Sequence, residues 1–320
     1  MPNKKVFITR KIPRPGIDLL LGKGYDVKIY PYNHPIPVKD FMLELKSADA
    51  LIPMLSDKID RDLINSAPHL KIISNYAVGY NNIDIAYARE KNIIVTNTPD
   101  VLTAATADLT WALILSVTKR IIEGDRFVRQ GHFKGWEPEL LLGSDISGKT
   151  LGIIGPGRIG QAVARRARGF EMKIIYSGSG PKPDFEKECA ARLVSLEQLL
   201  QEADFISLHC PLSAETRHLL NRENLRKIKS GAYLINTSRG AVIDEQALVE
   251  ALQQGRLAGA GLDVYEFEPR VHEALLSMSQ VVLLPHVGSG TVETRAEMSR
   301  ICARNVIAVL EGREALNPVY

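Results

Sequence analysis

The sequence predicts an α/β protein of two doubly wound parallel-sheet domains. Three observations carry that reading. Short apolar runs alternate with stretches of helical spacing, the order that parallel strands with crossovers require. The rhythm breaks at Asn97-Thr-Pro-Asp100 and restarts at Leu151. The 320 residues are about twice the ~150 of one ordinary domain.

The elements follow in order. Val6–Thr9 reads as a strand, and Pro13–Gly22 carries Ile17, Leu20 and Leu21 on one helical face. Strands at Val27–Tyr30, Ala50–Met54, Ile72–Asn75 and Ile93–Thr96 complete the first sheet, with right-handed crossovers expected. After the break, one long helix is expected from Thr103 to about Arg129, with Leu109, Leu113 and Val117 at helical spacing. Ile114 and Ile121 lie beside them. This helix is apolar all round, which leaves two readings: a core helix, or one buried against a second subunit. Gly131–Gly148 is looser and holds Trp136 and Pro138. Strands are then expected at Leu151–Ile154, Lys173–Tyr176, Phe205–Leu208, Tyr233–Asn236, Gly261–Val264 and Val281–Leu284. A last helix, Thr291–Glu311, lies beyond them. Packed back on the first domain, it makes that domain discontinuous: 1–100 plus 288–320, around a second domain of 101–287.

Composition excludes several classes. Apolar residues at 45% and charged residues at 24% describe a folded globular chain. A net charge of +3 is too small to imply nucleic acid or a membrane surface. Cys189, Cys210 and Cys302 share no metal-ligand spacing, and their odd number argues against a disulfide framework. A reducing, cytoplasmic setting fits. The apolar run after Met1-Pro-Asn-Lys-Lys is too short for a signal-peptide core. Leu109–Val117 is about half a bilayer span.

Leu151-Gly-Ile-Ile-Gly155-Pro-Gly157-Arg158-Ile159-Gly160 reads as strand, glycine turn and helix start. Each glycine has a reason in a dinucleotide-binding loop. Gly155 allows the tight turn, Gly157 lets backbone approach a pyrophosphate, and Gly160 lets helix pack on strand. Free N–H groups near Arg158 and Ile159 then face the anion. Six strands are also what two βαβαβ halves of such a fold require. The next strand ends in Ser177-Gly-Ser179-Gly-Pro-Lys182, with no acid before Asp184. A carboxylate there would bind the ribose 2′-OH and repel a 2′-phosphate. Its absence, with Ser177, Ser179 and Lys182 as donors and Arg158 nearby, leads us to expect NADPH as the preferred cofactor and NADH as the second.

Three polar residues follow strands of the second half: Arg239, Glu268 before Pro269, and His286 after Pro285. Taken singly, each has a bland reading as a solvated charge, an element end or a structural histidine. Together, at the carboxyl ends of strands where α/β sheets bind ligands, they suit reduction of a 2-oxo acid. Arg239 can bind the carboxylate through two parallel hydrogen bonds. His286 can donate a proton, and Glu268 can hydrogen-bond it and favour its charged form.

The chain resembles the D-isomer-specific 2-hydroxyacid dehydrogenases, and most closely the glyoxylate/hydroxypyruvate reductases. The resemblance covers nearly the whole chain. It rests on Ala77-Val-Gly-Tyr-Asn-Asn-Ile-Asp84, Asn97-Thr-Pro-Asp-Val-Leu-Thr103, Gly155 to Gly160, Asn236-Thr-Ser-Arg-Gly240, Asp263 to Pro269 and Pro285-His-Val-Gly-Ser289. It implies a flavodoxin-like substrate domain and a Rossmann domain with a cleft between them, and Arg239, Glu268 and His286 as the catalytic set. It implies that backbone N–H groups of Ala77, Val78 and Gly79 bind the substrate carboxylate, and that Leu55 lines a small pocket. Thr106, Pro211, Thr237, Ser238, Asp263 and Gly288 would line the cofactor site. The helix from Thr103 and the loop after it would form a homodimer interface, with Trp136 near the neighbour's active site. Similar NADPH-using reductases often carry an arginine near Ser179; this chain does not. The alternatives are a dehydrogenase for another D-2-hydroxy acid, or a dinucleotide-sensing, corepressor-like protein without turnover.

Overall fold

In the computed structural model, residues 3–320 are described. The chain forms two compact units. One runs to Leu102 and resumes at Ser289–Tyr320; the other is Thr103–Gly288.

The first unit alternates β1 (Lys5–Ile8), α1 (Arg14–Gly22), β2 (Asp26–Ile29), α2 (Val38–Leu45), β3 (Ala50–Ile52), α3 (Arg61–Asn65), β4 (Ile72–Ser74), α4 (Ile85–Glu90) and β5 (Ile94–Thr96). The sheet is parallel throughout, in the order β2-β1-β3-β4-β5. Its central strands are buried on both faces, which is why they read as unbroken apolar runs. Asp60 and Asp84 cap α3 and α4 by accepting the Leu63 and Tyr87 N–H groups.

The second unit holds α5 (Thr103–Thr118), α6 (Ile121–Arg129), β6 (Thr150–Ile154), α7 (Arg158–Ala167), β7 (Lys173–Ser177), α8 (Pro183–Cys189), β8 (Arg192–Leu193), α9 (Leu196–Glu202), β9 (Phe205–Leu208), α10 (Arg222–Lys227), β10 (Ala232–Asn236), α11 (Glu245–Gln253), β11 (Leu257–Leu262), α12 (Glu273–Ser277) and β12 (Val281–Leu283). Its parallel sheet runs β12-β11-β10-β9-β6-β7-β8. Strand order reverses between β6 and β9, the switch point where such sheets bind ligands.

Three expectations need correction here. The single long helix is two, α5 and α6, broken where Arg120 takes a left-handed backbone (φ 53°). No glycine or proline marks the break. Its physical reason is the returning loop: Ser144 N–H donates to the Thr118 carbonyl, and Gly143 packs against the same group. The strand read at Gly261–Val264 starts earlier, at Leu257, and ends at Leu262, because its Ala-Gly-Ala-Gly core carries little strand signal. β8 is a two-residue edge strand that the pattern did not reveal.

α5 is a core helix of its own unit, burying Trp111, Leu113, Ile114 and Val117 against α7 and the β10–β12 side of the sheet. The exposed apolar side chains come after it: Ile121, Ile122, Val128, Phe133, Trp136 and Leu142. Arg165 and Arg166, at the end of α7, pair with Glu188 and Asp108.

The last helix, α13 (Val292–Leu310), belongs to the first unit. It lies against α1, where Cys302 and Val306 share a core with Ile17 and Leu20. The approach is close enough that Gly16 N–H donates to Ser299 Oγ at 3.1 Å, and a Cβ on Gly16 would collide with the Ser299 carbonyl. Gly16→Ala should therefore destabilise the protein by about 1–3 kcal/mol. Gly22→Ala, where a Cβ meets nothing within 4 Å, should be neutral or slightly stabilising. Thermal melts of the two variants check this; equal melting temperatures would remove the close-packing argument.

Candidate active site

The carboxyl ends of six strands line up in sheet order in the second unit. From β12 inward they carry His286, then Asp263 and Glu268, then Thr237, Ser238 and Arg239, then Cys210 and Pro211, then the glycine loop, then Ser177 to Lys182.

The glycine loop sits at the switch point. Gly155 has φ +89°, and a Cβ there would lie 2.5 Å from the Cys210 nitrogen. At Gly160 a Cβ would lie 2.5 Å from the Gly155 carbonyl oxygen. Both glycines are demanded by the protein's own packing. Gly157 is different. It is the N-cap of α7, and a Cβ would meet nothing within 4 Å. No protein atom requires glycine there, which fits a backbone that a bound anion approaches closely. Arg158 is exposed and Ile159 half-buried in the first turn of α7. Pro156 is buried, with its carbonyl taken by Gln161 and its ring against Gly178.

Ser177 ends β7, while Ser179 and Lys182 are exposed in the turn after it. Lys182 N–H donates to Tyr176 Oη at 2.8 Å, and that hydroxyl donates to Glu186. Burial, with the Glu186 bond behind it, raises the Tyr176 pKa, so the hydroxyl keeps its proton for that bond.

His286 Nδ1 and Glu268 Oε2 are 2.9 Å apart. Glu268 Oε1 accepts the Tyr265 N–H at 3.1 Å. Burial pushes the Glu268 carboxyl up. The His286 bond and charge, the Tyr265 N–H and the Arg239 charge outweigh it and leave the group below its ordinary value. The partly buried Arg239 guanidinium donates through Nη1 to the Ser238 carbonyl at 2.6 Å. Burial lowers its pKa and the Glu268 charge opposes that. Behind it, Asn236 Oδ1 accepts both the Ser238 N–H and Oγ–H, at 3.0 and 2.9 Å.

His286 has a left-handed backbone, φ 53°, a conformation that costs about 1–3 kcal/mol outside glycine. Asp263 holds it there. Its two oxygens accept the Val287 and Gly288 N–H groups at 2.7 and 2.8 Å. Thr106 Oγ1 donates to the Gly288 carbonyl at 3.1 Å, and Thr110 joins Thr106 to Thr237. His209 is the other histidine near this edge. Burial pushes it down to about 3, so it is neutral, bonded to Ser207 Oγ at 2.7 Å. Burial also drives the Cys210 thiol up to about 11, which suits an inert buried group rather than a nucleophile.

Supports that the sequence did not reveal are Glu245 and Glu266. Each accepts the other's N–H, at 3.0 and 3.2 Å, and Glu245 also takes the His272 N–H. These bonds clamp the segment that carries Glu268. Exchanged carboxylate-to-backbone bonds leave no periodic trace in sequence.

In the first unit, Leu55 lies in the turn after β3 and Ala77–Gly79 in the loop after β4. Ala77 is buried; Leu55, Val78 and Gly79 are half-buried. Among the described residues no helix is long and apolar enough to cross a membrane, and no group of three His, Cys, Asp or Glu is placed to hold a metal ion.

Because the Glu268 carboxyl is held below its ordinary 4.5, its contribution to stability is present above that pH and lost as pH falls through the lower folded value. The stability gap between wild type and Glu268→Gln should thus hold steady near neutrality and close in acid. Urea midpoints across that range test it; a gap that ignores pH would contradict the ion pair.

Residues 111–288 match the family model described as D-isomer specific 2-hydroxyacid dehydrogenase, NAD binding domain. A glyoxylate reductase of Thermococcus kodakarensis is 50% identical over 312 residues, 96% of this chain and 93% of that one. A crystal structure of a Thermus thermophilus protein superposes with a TM-score of 0.94 at 46% identity, covering 99% of this chain and all of that one. An NADPH-dependent glyoxylate/hydroxypyruvate reductase of Sinorhizobium meliloti, in complex with NADP and malonate, gives 0.89 at 33% identity, covering 99% and 97%.

Proposed function

The chain belongs to the D-isomer specific 2-hydroxyacid dehydrogenases, and on that premise we propose that it reduces glyoxylate, and hydroxypyruvate besides, to the 2-hydroxy acid. The observation that carries the reading is the 2.9 Å pair of His286 and Glu268 after the adjacent strands β12 and β11, the second of which pairs with β10, the strand leading into Arg239.

Arg239 binds the substrate carboxylate. In the loop after β4 the Val78 and Gly79 N–H groups are offered to a carboxylate, whereas the Ala77 N–H, expected from the resemblance to join them, is taken by the Asn75 carbonyl at 2.8 Å. Leu55 would limit the substrate to a small oxo acid. A bound nicotinamide dinucleotide supplies the hydride that the carbonyl carbon gains. The carbonyl oxygen gains a proton from Nε2 of protonated His286, whose imidazole is left neutral against Glu268. The N–H groups at the start of α7, around Arg158 and Ile159, with Gly155, Gly157 and Gly160, would hold the pyrophosphate. Thr106, Pro211, Thr237, Ser238, Asp263 and Gly288 line the dinucleotide's path. NADPH would be preferred over NADH: Ser177, Ser179 and Lys182 would supply hydroxyl donors and a positive charge to a 2′-phosphate, and Glu186, a nearby carboxylate, is bonded by Tyr176. The relative from Sinorhizobium meliloti, crystallised with NADP, supports that choice. The exposed apolar side chains of α6 and the loop after it, Trp136 among them, support a homodimer.

The primary test follows the loss of reduced-cofactor absorbance, crossing NADPH and NADH with glyoxylate, hydroxypyruvate, pyruvate and a branched oxo acid. The highest kcat/KM is expected for glyoxylate with NADPH. Turnover with NADH alone overturns the cofactor preference and leaves the catalytic assignment standing. No turnover with any pair, despite dinucleotide binding, favours a sensing protein.

His286→Ala should lower kcat by about 10²–10⁴ and change substrate KM little. Arg239→Ala should raise KM as well as lower kcat, for a combined loss of at least about a hundredfold. Wild-type kcat in either variant refutes its role. Val128→Asp should shift the wild-type dimer to a monomer in sedimentation velocity; a monomeric wild type sinks the interface.

A further inference from the structure

We propose that Asn75 and Asn82 are positioning residues for the substrate, a pair of side-chain amides that fixes the Gly79 carbonyl, and with it the direction of the Tyr80 N–H, at the end of a 77–80 loop whose other carbonyls Asn97 and Thr98 hold, and that ties this loop to the turn carrying Leu55. This rests on the reading above that the loop holds the substrate carboxylate.

Three successive carbonyls of the loop are pinned by the chain. Thr98 N–H donates to the Ala77 carbonyl at 3.0 Å. Asn97 Nδ2 donates to Val78 at 2.7 Å, and Asn75 Nδ2 to Gly79 at 2.8 Å. In a trans peptide the C=O and the next N–H point opposite ways. Fixing those carbonyls therefore aims the Val78, Gly79 and Tyr80 N–H groups together, away from the pinning residues. Among the described residues, none of the three donates within the chain. Successive N–H groups presented this way form an anion-binding concavity.

Asn75 is fully buried just past β4. Its amide and that of Asn82 exchange two reciprocal hydrogen bonds, each 3.3 Å. Asn82 Nδ2 also reaches the Met54 and Asp57 carbonyls, at 3.2 and 3.1 Å. Those two residues bracket Leu55 and Ser56 in the turn after β3. Asp57 closes that turn by accepting the Met54 N–H at 2.8 Å, and it is held in turn by Thr9 and Arg10. The amide pair is thus the link between the wall that would set substrate size and the N–H groups that would set substrate affinity.

Asparagine is needed at both positions because each amide must donate and accept at once. Asn75→Asp would turn a carboxylate oxygen toward the Gly79 carbonyl in place of a donor. Asn82→Ala removes the link at a half-buried position that folding tolerates better. The test measures KM for glyoxylate, kcat, KM for the dinucleotide, and hydrogen exchange of the 77–80 amides by mass spectrometry. Both variants should raise glyoxylate KM by about tenfold or more, with kcat within about threefold. Dinucleotide KM should stay put, and amide exchange across the loop should quicken. Should Asn75→Asp fail to fold, Asn82→Ala decides. An unchanged glyoxylate KM in a folded variant, or a matching rise in dinucleotide KM, overturns the proposal. A wild type that reduces no 2-oxo acid overturns the functional reading instead. The exchange measurement then decides alone whether the amides fix the loop.

Discussion

A buried carboxylate where β11 ends, Asp263, holds two backbone N–H groups of the next strand's loop, and the geometry of the site depends on it. With Val287 and Gly288 held, the residue before them is kept in a left-handed backbone that a histidine would otherwise leave. That direction brings the His286 ring to Glu268. Glu268 is in turn fixed by Tyr265 N–H, from the same β11 loop as Asp263. Burial raises the Asp263 carboxyl above its ordinary range, while the two N–H groups and His286 pull the other way. The clamp therefore works against its own desolvation, and the donors that it restrains are what favour its charge.

Close approach of backbones is the second constraint. Gly240 lies so near the Tyr265–Glu266 peptide that no side chain fits, and Gly155 lies as near Cys210. These contacts bring neighbouring strand ends close together, while Ser238 bonds back to Asn236 of its own strand and Thr237 bonds to Thr110 of α5. Gly157 obeys a different rule, since no atom of the chain crowds it. One loop thus mixes glycines that the fold requires with one that no atom of the chain crowds.

How much of this is legible in sequence differs by element. Both parallel sheets are, because buried strands write themselves as apolar runs between helical stretches. The glycine loop is, because its turn, strand and helix are contiguous. Arg239, Glu268 and His286 can be placed behind strands, but pattern carries them no further than that. β11 is half hidden by its own glycines, and the α5–α6 break has no local breaker, only a loop whose Ser144 returns to Thr118. Asn75, Asn82, Glu245 and Glu266 are the least legible. Apart from the Asn75–Asn82 pair itself, their partners here are backbone carbonyls and N–H groups, which nearly every residue owns, so no residue type at any spacing announces the bond.

The helix α13 has a consequence for how the protein is made. Synthesis runs from the amino end, so the five strands of the first unit leave the ribosome long before the helix that covers α1. Until α13 arrives, Gly16, Ile17 and Leu20 lack the partners that bury them, and the whole second unit can close meanwhile from contiguous chain. A chain whose α13 has not yet docked would thus carry a sticky groove on its first unit, the kind of exposed surface that chaperones bind. A stop codon shortly before Val292 would leave that groove open for good, even with Arg239, Glu268 and His286 all in place.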